Sequence, residues 1–190
     1  LLSVTPFYNR PSQEGVYQHY KLLAENSPLP IILYNVPGRT GCNIDAATTL
    51  RLANDFPNIV AVKEASGMMN QIMKIIAHKP AGFSVISGDD ALTLPLLAAG
   101  VDGVISVIAN AFPKEMSTMV RLARNNQFAE ARQIHLRLLD YIQACFREGS
   151  PCGIKALMSL QGKIQNNLRL PQVPASEALI ETFKTLLAEK

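Results

Sequence analysis

Apolar residues along this chain gather into short unbroken runs at Leu1 to Thr5, Ile31 to Tyr34, Ile59 to Val62, Phe83 to Ser87 and Val104 to Val107. Runs of this length, bounded by turn-forming residues, predict strands. Between them the apolar spacing changes to three and four residues. Tyr17, Tyr20 and Leu23 or Ala24 follow it within 13–26, Leu50 and Ala53 follow it within 46–54, and 72–77 continues the theme. That spacing predicts helices; Asp45 stands before the second of them, and Asp89 before a fourth that follows the run Phe83 to Ser87, where a carboxylate can cap free N–H groups. Strand, loop and helix thus recur every 20 to 30 residues or so, the signature of βαβ units and a parallel sheet.

Strands that are apolar throughout, rather than alternating, are covered on both faces, as in a doubly wound sheet or a (β/α)8 barrel. The chain has no GxGxxG or P-loop glycine pattern, which favours the barrel. Five strands do not close an eight-stranded barrel, so about three βα units, ~90 residues, are expected before Leu1. The opening "LLSVTPFYN", with no methionine and a strand under way, reads as part of something longer. After Val107 the pattern is wholly helical, over 113–125, 128–147, 153–161 and 176–189, with "FREGSPCG" and "RLPQVPAS" as breaks. The expected fold is α/β: a (β/α)8 TIM barrel lacking its first three βα units over 1–125, then a C-terminal helical extension over 126–190.

The run Ile59 to Val62 continues as "IVAVKEASG", which puts Lys63 at the carboxyl end of a buried strand. On its own such a lysine marks where the strand emerges, its stem lying along apolar neighbours. A desolvated lysine is also a nucleophile for carbonyl substrates. Barrel enzymes build their sites at strand carboxyl ends, and the others here are "TPFYNRP", "YNVPGRTG", "SGDDA" and "SVIAN". They add Tyr8, Tyr34 and Arg39 to Lys63: phenols able to pass protons and a guanidinium able to hold a carboxylate. With those partners the nucleophile is the preferred reading of Lys63.

Composition narrows the field further. With 48% hydrophobic and 17% charged residues the chain is globular. A net charge of +3, thinly spread, is no nucleic-acid footprint. Cys42, Cys145 and Cys152 form no CxxC pair, so neither a disulfide framework nor a zinc site is suggested, and a reducing cytoplasm fits. No apolar stretch is long enough for a membrane span. Asp89 and Asp90 diverge on leaving a strand, and capping before Ala91 is preferred to metal binding. Gly88 beside them fits a close backbone approach to a ligand. His19, His78 and His135 lack ligand spacing, and Lys155 lies on a late helix outside the strand-end set.

"VTPFYNRPSQEGVYQHY", "YNVPGRTGCN", "VKEASG", "SGDDA" and "GVISVIAN", in this order, closely resemble the dihydrodipicolinate synthase family, with "SPCGIKALMSLQG" and "NNLRLP" extending the likeness into the helices. The resemblance implies a class I aldolase mechanism with no metal or cofactor. Lys63 would form an imine with pyruvate, whose enamine attacks L-aspartate 4-semialdehyde. Tyr34 would exchange protons, and Tyr8 would reach a neighbouring subunit's site. Arg39 would hold the semialdehyde carboxylate, and Ile105 would contact pyruvate through its carbonyl. A cytoplasmic homotetramer, a dimer of dimers, is the implied assembly. The family's threonine pair is expected in the absent units, and Phe7 departs from the tyrosine of many lysine-inhibited members. Two rivals are a related pyruvate lyase, such as a sialate or keto-deoxy sugar-acid aldolase, and a non-catalytic barrel fragment. Arg39 argues against the first of these.

Overall fold

Five strands pair in parallel and in chain order: β1 (Leu2–Val4), β2 (Ile31–Asn35), β3 (Ile59–Glu64), β4 (Ser84–Ser87) and β5 (Gly103–Val104). The computed structural model in which they are seen describes residues 1–189. Helices α1 (Gln13–Asn26), α2 (Pro37–Thr40), α3 (Ala46–Asp55), α4 (Met69–His78) and α5 (Thr93–Ala99) make the connections. Parallel neighbours require such crossovers. Ile31, Leu33, Val62 and Val85 are fully buried in the strands, and Val16, Leu52, Ile75 and Leu96 are fully buried in the helices. Two-sided burial is what the unbroken apolar runs encode. These elements form one compact unit, Leu1–Ile105.

Most boundaries fall where the pattern puts them, and the departures have local causes. β3 runs on through Lys63 and Glu64, because their backbones pair with Tyr34 and Asn35 on one side and Ile86 and Ser87 on the other. β5 stops at Val104. Four residues later the chain enters the 3-10 turn Ile108–Asn110. Asp45 caps α3 as expected, accepting from the Thr48 N–H at 2.7 Å. Asp89 instead accepts from the N–H groups of Ala91 (2.9 Å) and Leu92 (3.2 Å), capping a turn, and α5 begins later, at Thr93. The single-turn α2 lacks a periodic signal. It is set by Pro37 at its start and Gly41 at its end, where φ is 69°.

From Ser106 onward lies a second compact unit. It comprises α6 (Pro113–Arg124), α7 (Phe128–Arg147), α8 (Cys152–Leu160) and α9 (Glu177–Ala188). Met119, Leu157 and Phe183 are fully buried, and burying each such side chain contributes about 1.5–3 kcal/mol. Phe112 meets the Tyr141 ring edge-on at 4.9 Å. The Glu148 carboxylate accepts from both the backbone N–H and the hydroxyl of Ser176, anchoring the start of α9. Gly153 lets α8 approach α7 closely: a Cβ there would lie 2.5 Å from the Cys145 carbonyl oxygen.

Candidate active site

Parallel pairing sets Tyr34 of β2 opposite Lys63 of β3, and Asn35 opposite Glu64. Successive side chains point to opposite faces of a strand, so Tyr34 and Lys63 share one face. Their contact is direct, with the Lys63 Nζ 4.0 Å from the centroid of the Tyr34 ring. Lys63 is half-buried. Burial holds its pKa below the ordinary lysine value, Asp90 pulls it back up, and Arg39 pushes it further down. Burial raises the Tyr34 phenol, and Arg39 opposes that shift. The charge of Arg39 therefore reaches both members of the pair.

The Lys63 stem lies against Gly88, just past β4. A Cβ on Gly88 would come within 2.9 Å of Lys63 Cε and 3.1 Å of its Cγ, and within 2.8 Å of Ala65 Cβ. The approach expected at this glycine was to a ligand, and the neighbours it meets in the chain are the lysine stem and Ala65. Asp90, beside Asp89, is buried. It is only 2% exposed, and its charge acts on Lys63.

Arg39 is exposed on α2 and lines a cleft of about 840 Å³ together with Phe7, Tyr8 and Arg10. Tyr8 is 89% exposed, so its hydroxyl is not packed into the Lys63 and Tyr34 cluster. Its φ of 68° is in the left-handed region, which costs a non-glycine residue about 1–3 kcal/mol. Ile105 follows β5, donates its N–H to the Ser87 carbonyl at 2.9 Å, and is 38% exposed. Lys63 and Tyr34 are in contact, Arg39 is electrostatically coupled to both, and Tyr8 stands out in the cleft.

Sequence reasoning passed over Asn35 and Glu64, each only 1% exposed on the opposite face. Asn35 Nδ2 donates to Glu64 Oε1 at 2.7 Å. Glu64 Oε2 accepts from Gln71 Nε2 and from the Ser66 hydroxyl, both at 3.1 Å. Burial raises the Glu64 pKa, and these donors oppose the shift. The available signal was a polar residue directly after each candidate residue, as "YN" and "KE", in strands otherwise covered on both faces.

The remaining candidates take structural places. Lys155 Nζ donates to the Asn167 carbonyl at 2.5 Å. His78 bonds the Lys74 carbonyl, His19 lies edge-on to Tyr20, and His135 is buried. All three cysteines are buried thiols. Among the described residues no group of three or more His, Cys, Asp or Glu side chains is arranged to hold a metal ion, and no helix is long and apolar enough to cross a membrane.

Comparison with known proteins gives this arrangement a family. The model of the dihydrodipicolinate synthetase family matches residues 1–190. The 4-hydroxy-tetrahydrodipicolinate synthase of Phocaeicola vulgatus is 53% identical over 189 residues, which is 100% of this chain and 64% of that protein. The synthase of Porphyromonas gingivalis is 51% identical over 94% of this chain and 60% of its own length. The crystal structure of dihydrodipicolinate synthase from Thermotoga maritima superposes with a TM-score of 0.96 at 43% identity, over 99% of this chain and 65% of that one. A chloride-inhibited dihydrodipicolinate synthase from Acinetobacter baumannii, solved with pyruvate, gives 0.94 at 39% identity, over 99% of this chain and 64% of that one. The chain therefore spans less than two thirds of these relatives' length. Its consecutive parallel strands and helical second unit are those of a partial α/β barrel. On the family match and on these identities, the chain belongs to the dihydrodipicolinate synthetase family.

Proposed function

We propose that the protein containing this chain condenses pyruvate with L-aspartate 4-semialdehyde through a Lys63 imine, giving 4-hydroxy-tetrahydrodipicolinate for diaminopimelate and lysine biosynthesis. The observation that carries this reading is the Lys63 amine, half-buried over the Tyr34 ring with its pKa held down by burial. An imine forms only from a neutral amine, and burial enriches that form. The relatives' name, 4-hydroxy-tetrahydrodipicolinate synthase, supports this choice of product.

In this mechanism Lys63 Nζ attacks the pyruvate ketone and water leaves as the imine forms. Loss of a methyl proton gives the enamine, whose carbon attacks the semialdehyde's aldehyde. The semialdehyde's amine then displaces Lys63 as the ring closes. Tyr34 exchanges the protons without adding fixed charge. Arg39 holds the semialdehyde carboxylate through its planar fork at the cleft. Tyr8, exposed beside it, completes the proton relay at a neighbouring subunit, and the Ile105 carbonyl contacts pyruvate. The covalent imine takes the place of a cofactor.

The working form in this reading is a cytoplasmic homotetramer built as a dimer of dimers. Residues 1–125 belong to the barrel and 126–190 to the helical extension. Phe7, lacking a hydroxyl, weakens binding of lysine as a feedback inhibitor.

The test is incubation of the full-length protein with pyruvate and borohydride, followed by peptide mapping by mass spectrometry. A reduced pyruvate adduct on Lys63 supports the reading, and its absence overturns it.

A further inference from the structure

The buried network behind the site is built on the residues that directly follow the candidate pair. Asn35 follows Tyr34 and Glu64 follows Lys63, and the two polar residues are opposite each other in the β2–β3 register just as the candidate pair is. Asn35 Nδ2 also reaches Asn43 Oδ1 at 2.9 Å and the Ile44 carbonyl at 3.3 Å, while Asn35 Oδ1 accepts from the Ile44 N–H at 3.0 Å. Gln71 closes the circuit, exchanging hydrogen bonds with the Asn43 side chain and donating to Glu64. Gln13 Nε2 donates to the Asn43 carbonyl at 2.8 Å, and Gln13 Oε1 accepts from the Asp45 N–H at 3.0 Å. One connected set of side chains thus ties β2, β3 and α4 to the loop after α2, which bears Arg39, and to α1, which the Tyr8 loop enters.

The backbone of the same residues holds the front of the site. The Ala65 N–H donates to the Asn35 carbonyl and the Gly88 N–H to the Glu64 carbonyl, each at 2.8 Å. Gly88 in turn abuts the Lys63 stem. A shift of Glu64 therefore moves Lys63 through the strand and moves the surface against which its stem lies.

Stability alone does not account for this choice of residues. A buried carboxylate is costly to desolvate, and well-packed apolar replacements for buried ionic groups are often as stable or more so. Directional hydrogen bonds add one geometry, which an apolar pair does not specify.

We propose that Asn35 and Glu64 are positioning residues: their cross-strand hydrogen bond fixes Lys63 over Tyr34 in the geometry that imine formation needs. The inference rests on the proposed Lys63 imine. It assigns no chemistry to either residue, since neither faces the cleft.

The experiment exchanges donor and acceptor. In the full-length protein, Asn35→Asp sets two carboxylates against each other, and Glu64→Gln leaves more amide donors than acceptors. The double variant N35D/E64Q restores one donor, one acceptor and one charge between these two side chains, while Asn43 Oδ1 and the Ile44 carbonyl lose the donor that Asn35 gave them. For each protein, the rate of Lys63 trapping with pyruvate and borohydride is measured well below the thermal midpoint, as a function of pyruvate concentration. Small displacements of reacting groups cost large factors in rate, so each single variant is expected to lose about tenfold or more at saturating pyruvate. The half-saturating concentration is expected to stay within about threefold of the wild type, and the double variant to recover by at least about threefold over the slower single variant.

Single variants that unfold more easily but trap pyruvate at the wild-type rate when folded would overturn the inference and leave the Lys63 imine standing. So would a folded double variant that stays as slow as the single ones, or a double variant that does not fold. Should a single variant fail to fold, the double variant's recovery decides the matter alone. No adduct in the wild type would instead overturn the proposed function, and this inference with it.

Discussion

The Lys63 amine rests over the face of the Tyr34 ring, 4.0 Å from its centroid, on a neighbouring strand that places the two residues in register. The ring favours a cation at its face, whereas burial favours the neutral amine. These opposed pulls suit a nitrogen that has to lose its charge to react. Tyr34→Phe keeps the ring and removes only the hydroxyl. It is expected to fold normally and still form the reducible pyruvate adduct, while turnover falls by a factor of about 10²–10⁴, the usual contribution of a positioned proton donor. Steady-state rates beside mass-spectrometric trapping separate the two effects. Equal turnover in the variant and the wild type would remove Tyr34 from the proton path.

The depressed pKa of Lys63 gives a pH dependence of definite sign. Below the folded value both folded and unfolded chains hold the proton, and the fold bears the whole cost of burying the cation. Between the folded value and the ordinary lysine value of 10.5 the unfolded chain binds more protons, so this contribution to stability rises with pH. Lys63→Met is therefore expected to stabilise the fold at neutral pH, by an amount that shrinks as pH approaches 10.5. Urea titrations of both proteins at several pH values check this. A gain that grew with pH would contradict burial as the cause.

How much of this was legible in the sequence varied with the kind of signal. Unbroken apolar runs located all five strands, because two-sided burial leaves a dense pattern. Lys63, Tyr34 and Arg39 were singled out because strand carboxyl ends are where a barrel presents its chemistry. The Asn35–Glu64 bond was not found, since nothing local indicates that two polar residues 29 positions apart meet behind the sheet. Asp89 and Asp90 look alike in the sequence, yet one caps a turn and the other is buried within reach of the Lys63 charge. Only the path of the backbone distinguishes them.

At Gly88 the space a side chain would take is occupied by Lys63. Gly88→Ala forces Lys63 Cε, the far and flexible end of the contact, to move, whereas Ala65 Cβ is fixed to the backbone just past β3. The variant is expected to remain folded, losing about 1–3 kcal/mol to overpacking. Lys63 trapping by pyruvate should slow by about tenfold or more. An unchanged trapping rate would mean that the lysine finds an equivalent path around the methyl group.

Arg39 is expected to show two separable effects. Arg39→Ala removes the planar fork proposed to hold the semialdehyde carboxylate, so the KM for the semialdehyde should rise by about tenfold or more while pyruvate trapping persists. Arg39 also depresses the Lys63 pKa, so the pH profile of trapping should move to higher pH in the variant. Arg39→Lys restores the charge without the fork, and should return the pH profile but not the KM. A profile that moved equally in both variants would separate the Lys63 shift from the Arg39 charge.

Two helical glycines, Gly38 and Gly153, carry opposite expectations. Alanine is the better helix former by about 1 kcal/mol, so Gly→Ala in a helix stabilises wherever there is room. A methyl group on Gly38, in α2, would meet no atom within 4 Å, and φ there is not positive, so Gly38→Ala should be neutral or slightly stabilising. A Cβ on Gly153, in α8, would lie 2.8 and 2.5 Å from the Cys145 carbonyl carbon and oxygen, backbone atoms that cannot rotate aside. There the clash outweighs the propensity gain, and Gly153→Ala should destabilise by about 1–3 kcal/mol as α8 is pushed away from α7. Denaturant midpoints at constant slope measure both changes. A stabilising Gly153→Ala would show that α7 and α8 separate at little cost, which would leave helix propensity as the dominant effect at that contact.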